Sequence, residues 1–273
     1  MRFAELIKKT PKPIKKFIVL GLNKIGYSKA NDELCLKYKN LVKEVEGLYK
    51  EFLFKDLFLS DELRVKLMSE LLGTEISEAI YLLNYLNKSL EIEGDVCEFG
   101  IAQGATSALM ANEIKKTDKN IWLFDSFEGL PKPSEKDVLK DDIFKLGSIG
   151  AYNGAMSCKA DMVKKRLKDI EFPTSRTKIV PGFIEETINQ PNLPLQVCFA
   201  YVDFDFYEPI ITALNFLDNV LQTSGFIMVD DYDFFSTGSK TAVDEFMAIH
   251  KEKYNFLLPI KSAGHFCIIE KIN

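Results

Sequence analysis

Four aspartates stand at the ends of two apolar runs. "AYVDFDFYEP" (200–209) carries Asp203 and Asp205, and "GFIMVDDYDF" (225–234) carries Asp230 and Asp231. Like charges gathered at one edge cost free energy unless a cation or a proton satisfies them. Two accounts suit these residue types. They cap solvated turns, or they form a hard-cation site in which Asp203, Asp230 and Asp231 hold Mg²⁺, or Mn²⁺, through oxygen. The residues between the runs, including "EPIITALNFLDNVLQ", are enough for one crossover helix. Strands joined that way are expected to be parallel neighbours, roughly 4.8 Å apart, with their aspartates at one edge. That convergence favours the metal.

A second group of residues suits a nucleotide-like ligand. "CEFGIAQGATSALMAN" places Gly100 and Gly104 around a turn, with a helix opening at Ala105, Thr106 and Ser107. Glycines there let the backbone approach a ligand, and a helix start offers free N–H groups. Glu98, just before the turn, would repel a pyrophosphate. Asp125 ends the next run, where an acid can accept hydrogen bonds from ribose hydroxyls. Acidic residues in both places suit an adenosine ligand that carries positive charge, and S-adenosylmethionine is that ligand. NAD is the competitor, and the absence of a third glycine counts against it.

These residues need a scaffold to bring them together. Up to about residue 92 the apolar spacing is helical, as in "SEAIYLLNYLNKSL". From Gly94 onward, short β-type runs alternate with helical segments near 104–116, 157–168, 207–221 and 238–251. The runs are "DVCEFGI", "NIWLFDSF", "TKIVPGF", "VCFAYVDFD", "FIMVDDY", "NFLLPIK" and "HFCIIEK". Alternation predicts an α/β fold: a doubly wound, seven-stranded, mostly parallel sheet with helices on both faces and an N-terminal helical extension. The last two runs, linked by "SAG", are expected to form an antiparallel hairpin at one edge. We divide the chain into a helical extension over 1–75 and a sheet domain over 76–273. The Gly/Pro-rich segment 128–156 reads as a lid or active-site loop.

Composition narrows the partners. The chain has 273 residues and a net charge of −5, which does not point to nucleic acid. Five widely spaced cysteines, with no CxxC pair, fit a reducing cytoplasm better than a disulfide framework. Residues 1–29 carry eight basic side chains against Glu5 alone, and Ile14, Phe17, Ile18, Leu22 and Ile25 fall on one helical face. Such a helix packs on the body or on a second subunit of a homo-oligomer, or lies on an anionic membrane surface.

In this order and spacing, "GDVCEFGIAQGATSALMA", "DSFEGLP", "VPGFIEET", "VDFDFYEP" and "IMVDDY" resemble the macrocin O-methyltransferase family, over roughly residues 76–273. The resemblance implies a Rossmann-like class I methyltransferase that uses S-adenosylmethionine and a metal to methylate sugar hydroxyls. It implies that Glu98, Gly100, Asp125 and Ser126 contact the cofactor. It further implies that Asp203, Asp230 and Asp231 hold the metal, with Asp205 close by. Phe204 departs from the glycine that the family often places between the paired aspartates.

Chemically, an acceptor hydroxyl must lose most of its proton before it attacks a methyl group. Chelation of two adjacent hydroxyls by Mg²⁺ would acidify one of them, and a carboxylate would take the proton. The expected catalytic residues are Asp205, as first choice of base, the ligand Asp203, and His265, on the last run, as second choice of base. The acceptor is expected to be a small molecule or glycan. A catechol or other vicinal diol suits the same chemistry. A nicotinamide-dependent sugar-modifying enzyme is the alternative from another class.

Overall fold

The computed structural model describes the backbone of residues 12–273 and the side chains of residues 31–273. The apolar face at Ile14–Ile25 and the basic side chains of 1–29 lie outside the described side chains. Three helices come first: α1 (Lys12–Phe52), α2 (Glu62–Ser69) and α3 (Ile76–Ser89). The alternating part follows as β1 (Asp95–Phe99), α4 (Ala105–Ile114), β2 (Ile121–Asp125), α5 (Ala160–Asp169), β3 (Thr177–Pro181), the short α6 (Ile184–Thr187) and β4 (Val197–Val202). It closes with α7 (Tyr207–Val220), β5 (Leu221–Val229), α8 (Thr237–His250), β6 (Tyr254–Leu257) and β7 (Cys267–Lys271).

The seven strands form one sheet in the order β3-β2-β1-β4-β5-β7-β6. β3, β2, β1, β4 and β5 pair in parallel, and β7 runs antiparallel to both β5 and β6. Strand order reverses between β1 and β4, which is where a doubly wound sheet opens a crevice for a ligand.

β4 shows why the sheet is buried on both sides. Its sequence "VCFAYV" is apolar throughout and every residue is buried. Phe199 and Tyr201 pack into a core with α1 to α5, whereas Ala200 and Val202 pack with α7 and α8 on the other face. This is the period-2 alternation of a strand covered twice. α1 joins the first core through Val42 and Tyr49, and α3 through Ala79, Leu82 and Leu86. Among the described residues, no helix is long and apolar enough to cross a membrane.

Two local differences from the sequence reading matter for the site. The aspartates follow β4 and β5 rather than ending them, since pairing stops at Val202 and Val229. His265 precedes β7 by two residues instead of lying on it. Segment 128–156 contains one 3-10 turn, Ile149–Tyr152. It is anchored by a small aromatic core in which Leu130, Tyr152, Phe206 and Phe235 are buried together.

Candidate active site

A cavity of about 360 Å³ opens at the carboxyl ends of β1, β2, β4 and β5. Gly100, Asp125, Ser126, Asp203, Asp205, Asp230 and Asp231 all line it. Glu98, Gly104, Ala105, Thr106 and His265 do not. Among the described residues, the lining holds six carboxylates and no basic side chain. Leu72, Leu130, Ile143, Met156 and Phe234 add apolar wall, with Leu130, Ile143 and Met156 supplied by the 128–156 segment.

On the β1–β2 side, local geometry explains the residue types. Gly100 has φ +83°, and a Cβ there would lie 1.9 Å from the Asp203 carbonyl oxygen, so only glycine lets the end of β1 run this close to the chain leaving β4. Asp125 accepts backbone N–H groups from Ile101 (2.7 Å), Ala102 (3.1 Å) and Phe127 (2.6 Å). Its carboxylate therefore ties the β1 turn to the β2 turn while still facing the cavity. Ser126 accepts from the Glu128 N–H and donates to the Gly129 carbonyl, shaping the "DSFEG" turn.

Glu98 is fully buried beneath this turn. Its carboxyl receives the hydroxyls of Thr106 and Ser107 at the start of α4. Burial pushes its pKa up to about 8, against the lowering effect of those hydroxyls. Glu98 and Thr106 thus hold the helix start together from behind the cavity wall. Gly104 forms the N-cap of α4 in the left-handed conformation, and Ala105 begins the helix.

On the β4–β5 side the carboxylates crowd one another. Asp203 is held well above the usual carboxylate range, by burial first and then by Asp230 and Asp205. Asp231 is raised in the same way, by burial and then by Asp230 and Asp205. Burial brings Asp205 to about 6, and a hydrogen bond with Asp231 holds it from going higher. Asp230 is also raised by burial, with opposing contributions from Glu78, Tyr201 and the Asp231 N–H. Both Asp205 (φ +65°) and Asp231 (φ +53°) adopt the left-handed backbone conformation, which aspartate tolerates better than most residues. His265 stacks on Phe234 with ring centroids 4.5 Å apart.

The donor chemistry of Asp203, Asp230 and Asp231 fits a hard divalent cation. All three open on one cavity, offer carboxylate oxygen and, among the described residues, have no basic side chain beside them in its lining. Among the described residues, no three His, Cys, Asp or Glu side chains are gathered into a ligand set. The fit is therefore one of donor type and placement.

Two features escaped the sequence reading. Phe183 and Ile184, at the start of α6, give the cavity an apolar wall, and Gly182 N–H donates to the Asp125 carbonyl beside them. "VPGFIEET" carried that signal without revealing its place. Glu78 on α3 and Tyr201 on β4 form a buried polar group behind Asp230. Its only sequence trace is polar residues at positions where apolar ones would pack.

Comparison with known proteins finds related O-methyltransferases and a shared fold. The demethyldecarbamoylnovobiocin O-methyltransferase of Streptomyces niveus is 25% identical over 161 residues, 58% of this chain and 59% of that protein. The 8-demethyl-8-(2,3-dimethoxy-alpha-L-rhamnosyl)-tetracenomycin-C 4'-O-methyltransferase of Streptomyces olivaceus is 26% identical over 145 residues, 52% of this chain and 54% of that protein. The chain thus spans between half and three fifths of the length of these relatives. Among solved structures, the O-methyltransferase NovP has the same fold, with a TM-score of 0.62 and 19% identity over 73% of this chain and 81% of that one. A family model described as macrocin-O-methyltransferase (TylF) matches residues 83–266, more than half of the chain. The chain belongs to the macrocin-O-methyltransferase family.

Proposed function

We propose that the protein is an S-adenosylmethionine-dependent, Mg²⁺-dependent O-methyltransferase acting on a hydroxyl of a sugar or glycoconjugate. One observation carries this reading: Gly100 and Asp125 share a cavity with four carboxylates from the neighbouring ends of β4 and β5. Support for a sugar acceptor comes from the relative whose name specifies a rhamnosyl 4'-O-methyl transfer.

In this reading Asp125 keeps the β1 and β2 turns together and offers its remaining lone pair to a ribose hydroxyl. Phe183 and Ile184 give an apolar wall beside it, suited to a purine face. S-adenosylmethionine supplies an electrophilic methyl group, and a divalent cation held by Asp203, Asp230 and Asp231 supplies acidification of a bound hydroxyl. Asp205, at about 6, is mostly ionised near neutral pH and is the carboxylate that would take the acceptor hydroxyl's proton. Leu72, Leu130, Ile143 and Phe234 keep water from the reacting atoms and pack the rest of the acceptor. The same reading takes the protein as a homo-oligomer. Leu34, Tyr38, Leu41, Leu48 and Phe52, exposed on α1, support a subunit contact there.

The test is mass spectrometry of a panel of glycosides, catechols and other diols, incubated with methyl-labelled S-adenosylmethionine and Mg²⁺. Label on a glycoside hydroxyl is the expected result. Label on catechols alone moves the acceptor class, and no label on any member of the panel counts against the activity.

A further inference from the structure

We propose that Glu78 and Tyr201 are positioning residues that fix the orientation of the Asp230 carboxylate from behind the cavity. This rests on Asp230 belonging to the site described above. The Tyr201 hydroxyl oxygen lies 2.8 Å from Asp230 Oδ2 and 2.9 Å from Glu78 Oε1. Tyr201 is fully buried and Glu78 is 4% exposed. The other oxygen, Asp230 Oδ1, accepts the Asp231 N–H at 2.8 Å, and Ser239 Oγ donates to the Asp230 carbonyl at 3.0 Å. Asp230 is therefore held at both carboxylate oxygens and at its backbone.

Packing alone does not ask for this arrangement. β4 is otherwise apolar, and its neighbours Phe199, Phe226 and Met228 are buried hydrophobic residues of the same core. A phenylalanine in place of Tyr201 would fill that space without burying a hydroxyl. A glutamate buried on α3 beside a second carboxylate costs free energy that an apolar residue would not. That cost is offset only where the geometry it enforces matters, and the one cavity-lining group it enforces is Asp230. Partners that orient a ligand from behind are typically worth tenfold to a hundredfold in metal affinity. Glu78 also lies outside residues 83–266, so the family match does not reach it. α3 thereby gains a part in the site although it contributes no cavity-lining residue.

The test uses the full chain and its Tyr201→Phe and Glu78→Gln variants. Mn²⁺ alone is titrated by electron paramagnetic resonance, and S-adenosylhomocysteine by calorimetry. Tyr201→Phe is expected to weaken Mn²⁺ by about tenfold or more, and Glu78→Gln, which keeps size and hydrogen bonding, by less. Both should leave S-adenosylhomocysteine affinity within about twofold, which general damage to the fold would not. Unchanged Mn²⁺ affinity in both variants overturns the proposal, as does a parallel loss of both ligands. Absence of Mn²⁺ uptake by the unsubstituted chain removes the cation from the function proposed above, and crystal structures of the variants then decide. An Asp230 carboxylate turned away from its place supports positioning, and an unmoved one overturns it.

Discussion

The Asp125 carboxylate accepts the backbone N–H of Ile101 at 2.7 Å, so the last residue of β2 holds the turn that leaves β1. The same carboxylate also binds the N–H groups of Ala102 and Phe127. Asp125→Ala is expected to release both turns and leave three backbone donors without their acceptor. Each lost charged hydrogen bond of this kind is worth about 1.5–3 kcal/mol. Thermal unfolding should show a lower midpoint, and calorimetry should show weaker S-adenosylhomocysteine binding. An unchanged affinity would make Asp125 a purely structural residue.

Glu98 leads to a prediction about pH. Folded Glu98 keeps its proton up to about pH 8, whereas the ordinary value is 4.5. Between these values the folded protein binds more protons than the unfolded chain, so its stability falls as pH rises from about 5 to 8. The loss amounts to a few kcal/mol at about 1.4 kcal/mol per pH unit. Glu98→Gln should flatten that part of the profile in urea unfolding series. A slope equal to that of the unsubstituted protein would show that Glu98 titrates normally.

How far the sequence reveals this site depends on the distance over which each interaction acts. Asp125, Asp203 and Asp230 were readable because apolar runs end where strands end, and one crossover makes β4 and β5 neighbours. The antiparallel edge hairpin was readable from its two adjacent apolar runs, although its strands are shorter than those runs and residues 258–266 join them. Glu98 was readable as an acid near the glycine turn. Its commitment to Thr106 and Ser107 was not, because that depends on how α4 docks over β1. Glu78 and Tyr201 are 123 residues apart, and nothing local marks them as partners. His265 shows the limit at element ends, where a two-residue difference in where pairing starts moves a side chain off its strand.

Gly129 anchors the loop over the cavity. It has φ +91°, and a Cβ there would lie 2.3 Å from the Ala155 carbonyl oxygen. Gly129→Ala should strain this closure by about 1–3 kcal/mol. Limited proteolysis should then cut within residues 131–150 faster than in the unsubstituted protein. Equal cleavage rates would show that Tyr152 and its aromatic neighbours hold the segment without this turn.

The described lining of the cavity runs from Leu72 to Phe234 in the chain, well beyond residues 1–29. Their removal should leave S-adenosylhomocysteine affinity unchanged while altering oligomerisation or vesicle binding. Removal through residue 55 takes away Val42 and Tyr49 from the main core and should destabilise the protein. Loss of ligand affinity in the shorter truncation, with the fold intact by circular dichroism, would place part of the site in the N-terminal segment.

The carboxylate cluster predicts three separable outcomes. Exhaustive chelation should abolish methyl transfer, and Mg²⁺ should restore it. Asp203→Asn should weaken metal uptake and respond to excess metal. Asp205→Asn should keep metal uptake yet lose about 10²–10⁴ in turnover, as expected for a missing base. In the unsubstituted protein, turnover should rise with pH through about 6 as Asp205 loses its proton. Full turnover in a preparation shown to be metal-free by elemental analysis would contradict the cation.

The most direct measurement is a pair of calorimetric titrations of the full chain, one with S-adenosylhomocysteine and one with NAD. A cavity lined by Gly100, Asp125 and Phe183, with six carboxylates and no basic side chain among the described residues, is suited to a sulfur-linked adenosine and poorly suited to a pyrophosphate. The account predicts saturable binding of S-adenosylhomocysteine at one site per chain and no binding of NAD. Saturable NAD binding without any response to S-adenosylhomocysteine would contradict it.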